Sequence, residues 1–173
     1  MSAGSPSSLA EFNEGPPDRA AEALRPCNAA PRFAAELVAG RPYPDADALV
    51  SRAEEVARSL PWDEVSVALA AHPRIGDRVE GTSSEAQASR REQSSVAGAD
   101  DATRAALLDG NREYEARFGH VYLVCASGRT GAELLAVLRS RLANEAAYER
   151  TVARRELGKI NALRLARLAE ESG

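Results

Sequence analysis

Apolar residues recur at three- and four-residue spacing through most of this chain, and helix punctuation interrupts them at short intervals. Behind Asp45, a residue suited to N-capping, Leu49, Ala53, Val56 and Leu60 fall on one side of a helix. Pro31 stands at a first-turn position and Gly40 closes the same short segment, the usual proline and glycine asymmetry of a helix. Pro61 opens a further apolar stretch, 61–71, in which Trp62, Val65, Val67, Ala68 and Leu69 are expected to be buried. Thr82 with Glu85 has the capping-box form and starts a helix expected to run to about Ala97. Asp100 or Asp101 caps another, with Leu107, Leu108, Asn111, Tyr114 and Phe118 along one stripe and Gly119 as its stop. Only Val121 to Ala126 reads with a β-like period, and a lone run without partner strands is an extended connector rather than part of a sheet. The pattern is helical again from Thr130 to about Ala143, and from there through Ala169 with room for one break.

The expected fold is therefore all-α: a single compact multi-helix domain over 9–170, with one short extended apolar connector around 121–126 and a flexible Ser/Gly/Pro-rich start over 1–8. A length of 173 residues suits one sizeable core, and few aromatics with abundant Ala, Leu, Glu and Arg favour helix. The formal charge of −4, with arginines interleaved among glutamates, points away from nucleic acid as a partner. No apolar run reaches the length of a membrane span, and no signal-peptide pattern opens the chain. Cys27 and Cys125 are expected to be reduced thiols, so the expected location is cytoplasmic.

The residues able to do chemistry gather around Ala70-Ala71-His72-Pro73-Arg74-Ile75-Gly76-Asp77. Proline disfavours the α conformation for the residue before it, so His72 is displayed at a helix end, with a side chain suited to proton transfer near neutral pH. About twenty residues on, Ser89, Glu92 and Gln93 stand three and four apart and project from one helix face. Ala88 and Val96, four residues either side of Glu92, put that carboxylate at the edge of the apolar stripe. Taken alone, the spacing reads first as a solvated helix face with an i,i+4 neighbour. Arg164 lies between Ile160 and Leu168 in a core-facing stripe and needs a partner, either an internal carboxylate or an anionic ligand. His120 reads as structural, Cys125 as a buried thiol in an apolar run, and two histidines without Cys-His spacing give a zinc site little support.

Taken in order, AHPRIG, Ser89-x-x-Glu92-Gln93, Tyr114-x-x-x-Phe118-Gly119 running into VYLVCASGRT, Arg141-Leu142-x-Asn144-Glu145 and Lys159-Ile160-x-x-Leu163-Arg164-Leu165 resemble the 2-oxo-4-hydroxy-4-carboxy-5-ureidoimidazoline (OHCU) decarboxylase family. Leu24-Arg25-Pro26-Cys27 with Pro31-Arg32-Phe33 resembles its N-terminal part, so the resemblance runs from about residue 9 to 169. It implies a helical, cofactor-free and metal-free carboxy-lyase of urate degradation that yields S-allantoin, working as a homodimer. It places the family's catalytic histidine on His72, its Ser-x-x-Glu-Gln residues on Ser89, Glu92 and Gln93, and its substrate-binding arginine on Arg164, with Arg141 a competing basic residue in a matching motif. The expected catalytic residues are then His72 and Glu92, and the expected substrate-binding residues Pro73, Ser89, Gln93, Arg164 and Val124, the last through backbone groups of the extended 121–124 run. The alternative from another class is a helical scaffold or ligand-binding module without catalysis, in which Arg164 and Glu92 serve only as internal partners.

Overall fold

The computed structural model describes residues 8–77, 81 and 83–170. Its described residues form ten helices and no strand, so the all-α expectation holds. They are α1 Leu9–Glu14, α2 Pro17–Leu24, α3 Pro31–Ala39, α4 Ala46–Ser59, α5 Trp62–Ala70, α6 Ser84–Glu92, α7 Ser94–Ala97, α8 Asp101–Phe118, α9 Gly131–Arg141 and α10 Ala146–Glu170. The run 121–126 is neither helix nor strand, the connector anticipated from its isolated apolar period.

The helices start where short oxygen-bearing side chains can satisfy the unpaired first-turn amides. Ser8, Asp45, Ser83, Asp100 and Thr130 accept from the backbone N–H groups of Glu11, Ala48, Ala86, Thr103 and Glu133 at 3.0, 2.8, 3.1, 2.6 and 3.1 Å. Each such cap is worth about 0.5–2 kcal/mol. The exposed Asp100 carboxylate is held below its ordinary pKa by the Thr103 amide. Prolines stand at the first positions of α2 and α3, where a missing N–H costs nothing. Gly119 ends α8 in the left-handed conformation, φ 78°, donating to Glu115 O.

Two compact units organise these elements: residues up to Ala68 with those from Gly158 onward, and Leu69–Leu157. The first holds α1 to α4, most of α5 and the C-terminal half of α10; buried side chains include Phe12, Leu24, Phe33, Leu37, Leu49, Val56, Leu60, Val65, Ile160 and Leu165. Asn13 and the Tyr43 backbone exchange two hydrogen bonds of 2.8 Å, and Arg41 donates to Phe12 O and Gly15 O, so the α1 end is tied to the segment between α3 and α4. The second unit is built on α8 against α9. Ile75, Val96, Leu107, Tyr114, Tyr122, Val124, Ala126, Leu134, Leu135 and Leu138 form its core. Gly110 permits the close helix approach, since a Cβ there would run into the Leu138 side chain.

Several local expectations need correction. Val67 is 49% exposed, and Trp62 is half-buried, because α5 is amphipathic and turns only Val65, Ala68 and Leu69 inward. The helix expected from Thr82 to about Ala97 is two helices: α6 stops at Glu92, Gln93 leaves helical geometry at φ −99°, ψ 16°, and α7 begins at Ser94. Thr82 lies outside the described residues, and the observed cap of α6 is Ser83. Cys125, expected to be a buried thiol, is half-buried, whereas Cys27 is buried; neither is in a disulfide.

Candidate active site

The second unit assembles most of the proposed chemistry around one irregular corner. His72 closes the last turn after α5, its N–H donating to Leu69 O at 3.1 Å, and Pro73 prevents the helix from continuing. Both side chains are half-buried. The chain then reverses through Gly76, whose φ of +95° is open to glycine and strained for any residue with a side chain. Ile75 and Gly76 are buried, so their polar backbone groups need partners that no helix or sheet provides.

Those partners are side chains. The Gly76 N–H donates to Gln93 Oε1 at 3.1 Å, and Asn111 Nδ2 donates to Ile75 O at 2.7 Å. The break in the helix at Gln93 thereby makes sense: the residue caps α6, and its carboxamide reaches the corner instead of lying along a helix face. The Gly76 bond brings the His72-Pro73 corner and the Ser89-x-x-Glu92-Gln93 segment into contact at a defined atom pair. It also orients the Gln93 carboxamide, whose oxygen faces Gly76 and whose NH₂ is turned the other way. Ser89 and Glu92 are 3% and 6% exposed in the last turn of α6, so the carboxylate predicted at the edge of the apolar stripe is buried. Arg74 is held by Glu115 through a two-pronged pair, Nε to Oε1 at 2.6 Å and NH2 to Oε2 at 3.1 Å, which raises the guanidinium pKa.

A second polar cluster accounts for Arg141. Its Nε donates to Glu149 Oε1 at 2.7 Å and its NH1 to Leu123 O at 2.6 Å, and its NH2 also pairs with Glu149. Asn144 Nδ2 donates to Glu149 Oε2 at 3.0 Å, the Tyr114 hydroxyl donates to the same carboxylate, and the Tyr122 ring lies 4.9 Å from the guanidinium carbon. Burial alone would lower the Arg141 pKa, but the hydrogen bond and charge of Glu149 outweigh it and raise it. Burial first, and the Glu149 hydrogen bond second, push the Tyr114 hydroxyl well above the ordinary phenol range. The cluster anchors the 121–126 connector at Leu123, one residue before Val124. Val124 is buried with its side chain in the core, so only its backbone is available for recognition. His120 is half-buried against Tyr114, with ring centroids 5.4 Å apart, and burial lowers its pKa.

Arg164 belongs to the other unit, on the C-terminal half of α10. It is buried as its stripe predicted, and its NH1 donates to Pro26 O at 2.7 Å. Asn111, Glu115 and Glu149 had no assigned role in the sequence reading. For Asn111 the signal was a carboxamide in an otherwise apolar stripe; for Glu149 it was an arginine at a core position of α9, which requires an acid.

The fold and these residues define an all-helical protein with a histidine at the end of one helix, a buried carboxylate in the last turn of the next, and a carboxamide that ties that second helix to the corner after the histidine. The OHCU decarboxylase family model matches residues 13–166, and the chain belongs to that family. It is 34% identical over 139 residues to 2-oxo-4-hydroxy-4-carboxy-5-ureidoimidazoline decarboxylase of Amia calva, covering 78% of each. It is 32% identical over 151 residues to the uric acid degradation bifunctional protein TTL of Arabidopsis thaliana, covering 82% of this chain and 45% of that protein. The chain thus spans less than half of the bifunctional relative. Among solved structures it resembles OHCU decarboxylase crystallised in the presence of (S)-allantoin, with TM-score 0.76 and 25% identity over 90% of this chain and 99% of the other. The fold also matches an (S)-allantoin synthase, TM-score 0.69 at 18% identity, over 97% of this chain and 54% of the other.

Proposed function

We propose that this protein decarboxylates 2-oxo-4-hydroxy-4-carboxy-5-ureidoimidazoline to S-allantoin, the carboxy-lyase step of urate degradation. The observation that carries the reading is the family match, which runs through every residue of the proposed set from His72 to Arg164. The chemistry asks little of a protein beyond orientation, charge neutralisation and a proton. Breaking the carbon–carboxylate bond releases carbon dioxide and leaves its electron pair on the ring carbon, where the adjacent carbonyl and imine system accepts it as an enolate-like species. Protonation of that carbon from one face then sets the S configuration.

In this reading His72 and Glu92 carry the proton transfers, with the buried Glu92 carboxylate also able to orient the imidazole. Gln93, its oxygen committed to the Gly76 N–H, presents its NH₂ to a substrate carbonyl or carboxylate oxygen. Ser89, the Pro73 edge and the Val124 backbone complete recognition of the ring and ureido group. For the anionic end we assign Arg164 rather than Arg141. The Arg141 fork is committed to Glu149 and Leu123 O, whereas Arg164 stands where the motif Lys159-Ile160-x-x-Leu163-Arg164-Leu165 puts the family's substrate-binding arginine, and a guanidinium suits bidentate binding of a carboxylate. Following the family, we place the enzyme in the cytoplasm as a homodimer. Among the described residues no helix is long and apolar enough to cross a membrane.

The substrate is made in situ from urate with an oxidase and hydroxyisourate hydrolase, and the appearance of chiral product is followed by circular dichroism. Added protein should hasten S-allantoin formation, and His72→Ala should nearly abolish the gain while far-UV dichroism stays that of the parent. No acceleration by the parent would refute the activity; full turnover by the folded variant would remove His72 from the mechanism.

A further inference from the structure

We propose that Asn111 and Glu115, one turn apart on α8, are positioning residues that hold the His72–Gly76 corner in its working geometry. The proposal rests on the assignment of His72 made above. Three consecutive residues after the His-Pro pair are each gripped by a side chain. Glu115 takes Arg74 at 2.6 and 3.1 Å, Asn111 takes Ile75 O at 2.7 Å, and Gln93 takes the Gly76 N–H at 3.1 Å. Two of the three grips come from one face of α8, the helix at the centre of this unit's core.

Asn111 is the telling member. It is 0% exposed, and its Oδ1 has no hydrogen-bond partner among the described residues. A half-satisfied carboxamide in a core destabilises it, and an apolar residue of similar size would pack there without that penalty. What the amide supplies is its two N–H donors: one to Leu107 O within α8, at 2.9 Å, and one to Ile75 O across from it. Only the second bond does something an apolar residue cannot replace. Without it, a buried carbonyl three residues beyond His72 loses its partner in a segment with no helical or sheet bonding of its own. Proton transfer tolerates errors of fractions of an ångström, so a corner free to relax would slow the chemical step before it weakened binding.

The test compares the full-length parent with Asn111→Leu and Glu115→Gln by steady-state kinetics on the in situ substrate and by NMR of the histidine rings. The chain has two histidines, so His72→Ala identifies the His72 resonance. Asn111→Leu should lower kcat by on the order of 10²-fold with KM nearly unchanged, and should move the His72 resonance. Glu115→Gln, on a half-exposed pair, should do the same to a smaller degree. Parent-like kcat with an unmoved His72 resonance in folded Asn111→Leu overturns the proposal, as does a change confined to KM. Should Asn111→Leu not fold, the same two outcomes in Glu115→Gln decide the matter. If His72→Ala retains parent turnover, the catalytic assignment of His72 falls, whereas a displaced His72 resonance in the α8 variants still reports the clamp.

Discussion

Glu149→Gln is the perturbation whose cost follows most directly from the structure. Glu149 is 0% exposed and meets the Arg141 Nε and NH2, the Tyr114 hydroxyl and Asn144 Nδ2. Glutamine keeps the shape and one acceptor oxygen but removes the charge and replaces the second acceptor with an NH₂ that faces the Asn144 donor. Arg141 is then a buried guanidinium with Leu123 O and two tyrosine rings for company, none of which carries a compensating charge. Removing one partner of a buried pair costs about 3–5 kcal/mol. At about 2–4 °C per kcal/mol for a chain of this size, Tm should fall by roughly 6–20 °C. Thermal unfolding followed by far-UV circular dichroism reads the loss. The same physics predicts that Arg141→Met combined with Glu149→Leu recovers much of it, since charge and countercharge leave together. A Glu149→Gln loss under about 1 kcal/mol, or a double variant no better than the single one, would refute the claim that an uncompensated buried charge sets the cost.

Two further outcomes follow from local geometry. Gly119→Ala places a side chain at φ 78° with nothing within 4 Å of the new Cβ, so only backbone strain is added; stability should fall by about 1–2 kcal/mol in denaturant titration, and no loss would contradict that account. His120, whose folded pKa burial depresses below its ordinary value of 6.5, must stay neutral to remain where it is. Its contribution to stability is therefore present above about pH 6.5 and is lost as pH falls through the lower folded value. Replacing it by Phe should flatten the stability profile in that window, and an unchanged slope would show that the acid limb belongs to other groups.

How much was legible beforehand depends on the range of the interaction. Asp45, Asp100, Gly119 and Pro31 act within a few residues of themselves, and each sits where its local chemistry predicted. The Arg164 stripe and the buried Glu92 edge were readable for a similar reason, because helical periodicity assigns a residue to a face before its neighbours are known. The end of α6 was not readable. Nothing local stops that helix at Glu92; Gln93 leaves helical geometry where its carboxamide meets an amide seventeen residues earlier in the chain. Val67 was misplaced because apolar character alone does not say which side of α5 faces inward.

The sequence by itself determined the helical class, the positions of most helix ends and, through the ordered motifs, the family. Each rests on contacts within one or two turns or on residue order. Only the tertiary structure decided that Arg141 is spent on Glu149 and Leu123, that Gln93 binds Gly76, and that Asn111 reaches Ile75 across 36 positions. A buried polar group must find its partner wherever the fold provides one, and in a helical protein that partner is set by packing between helices rather than by spacing along the chain.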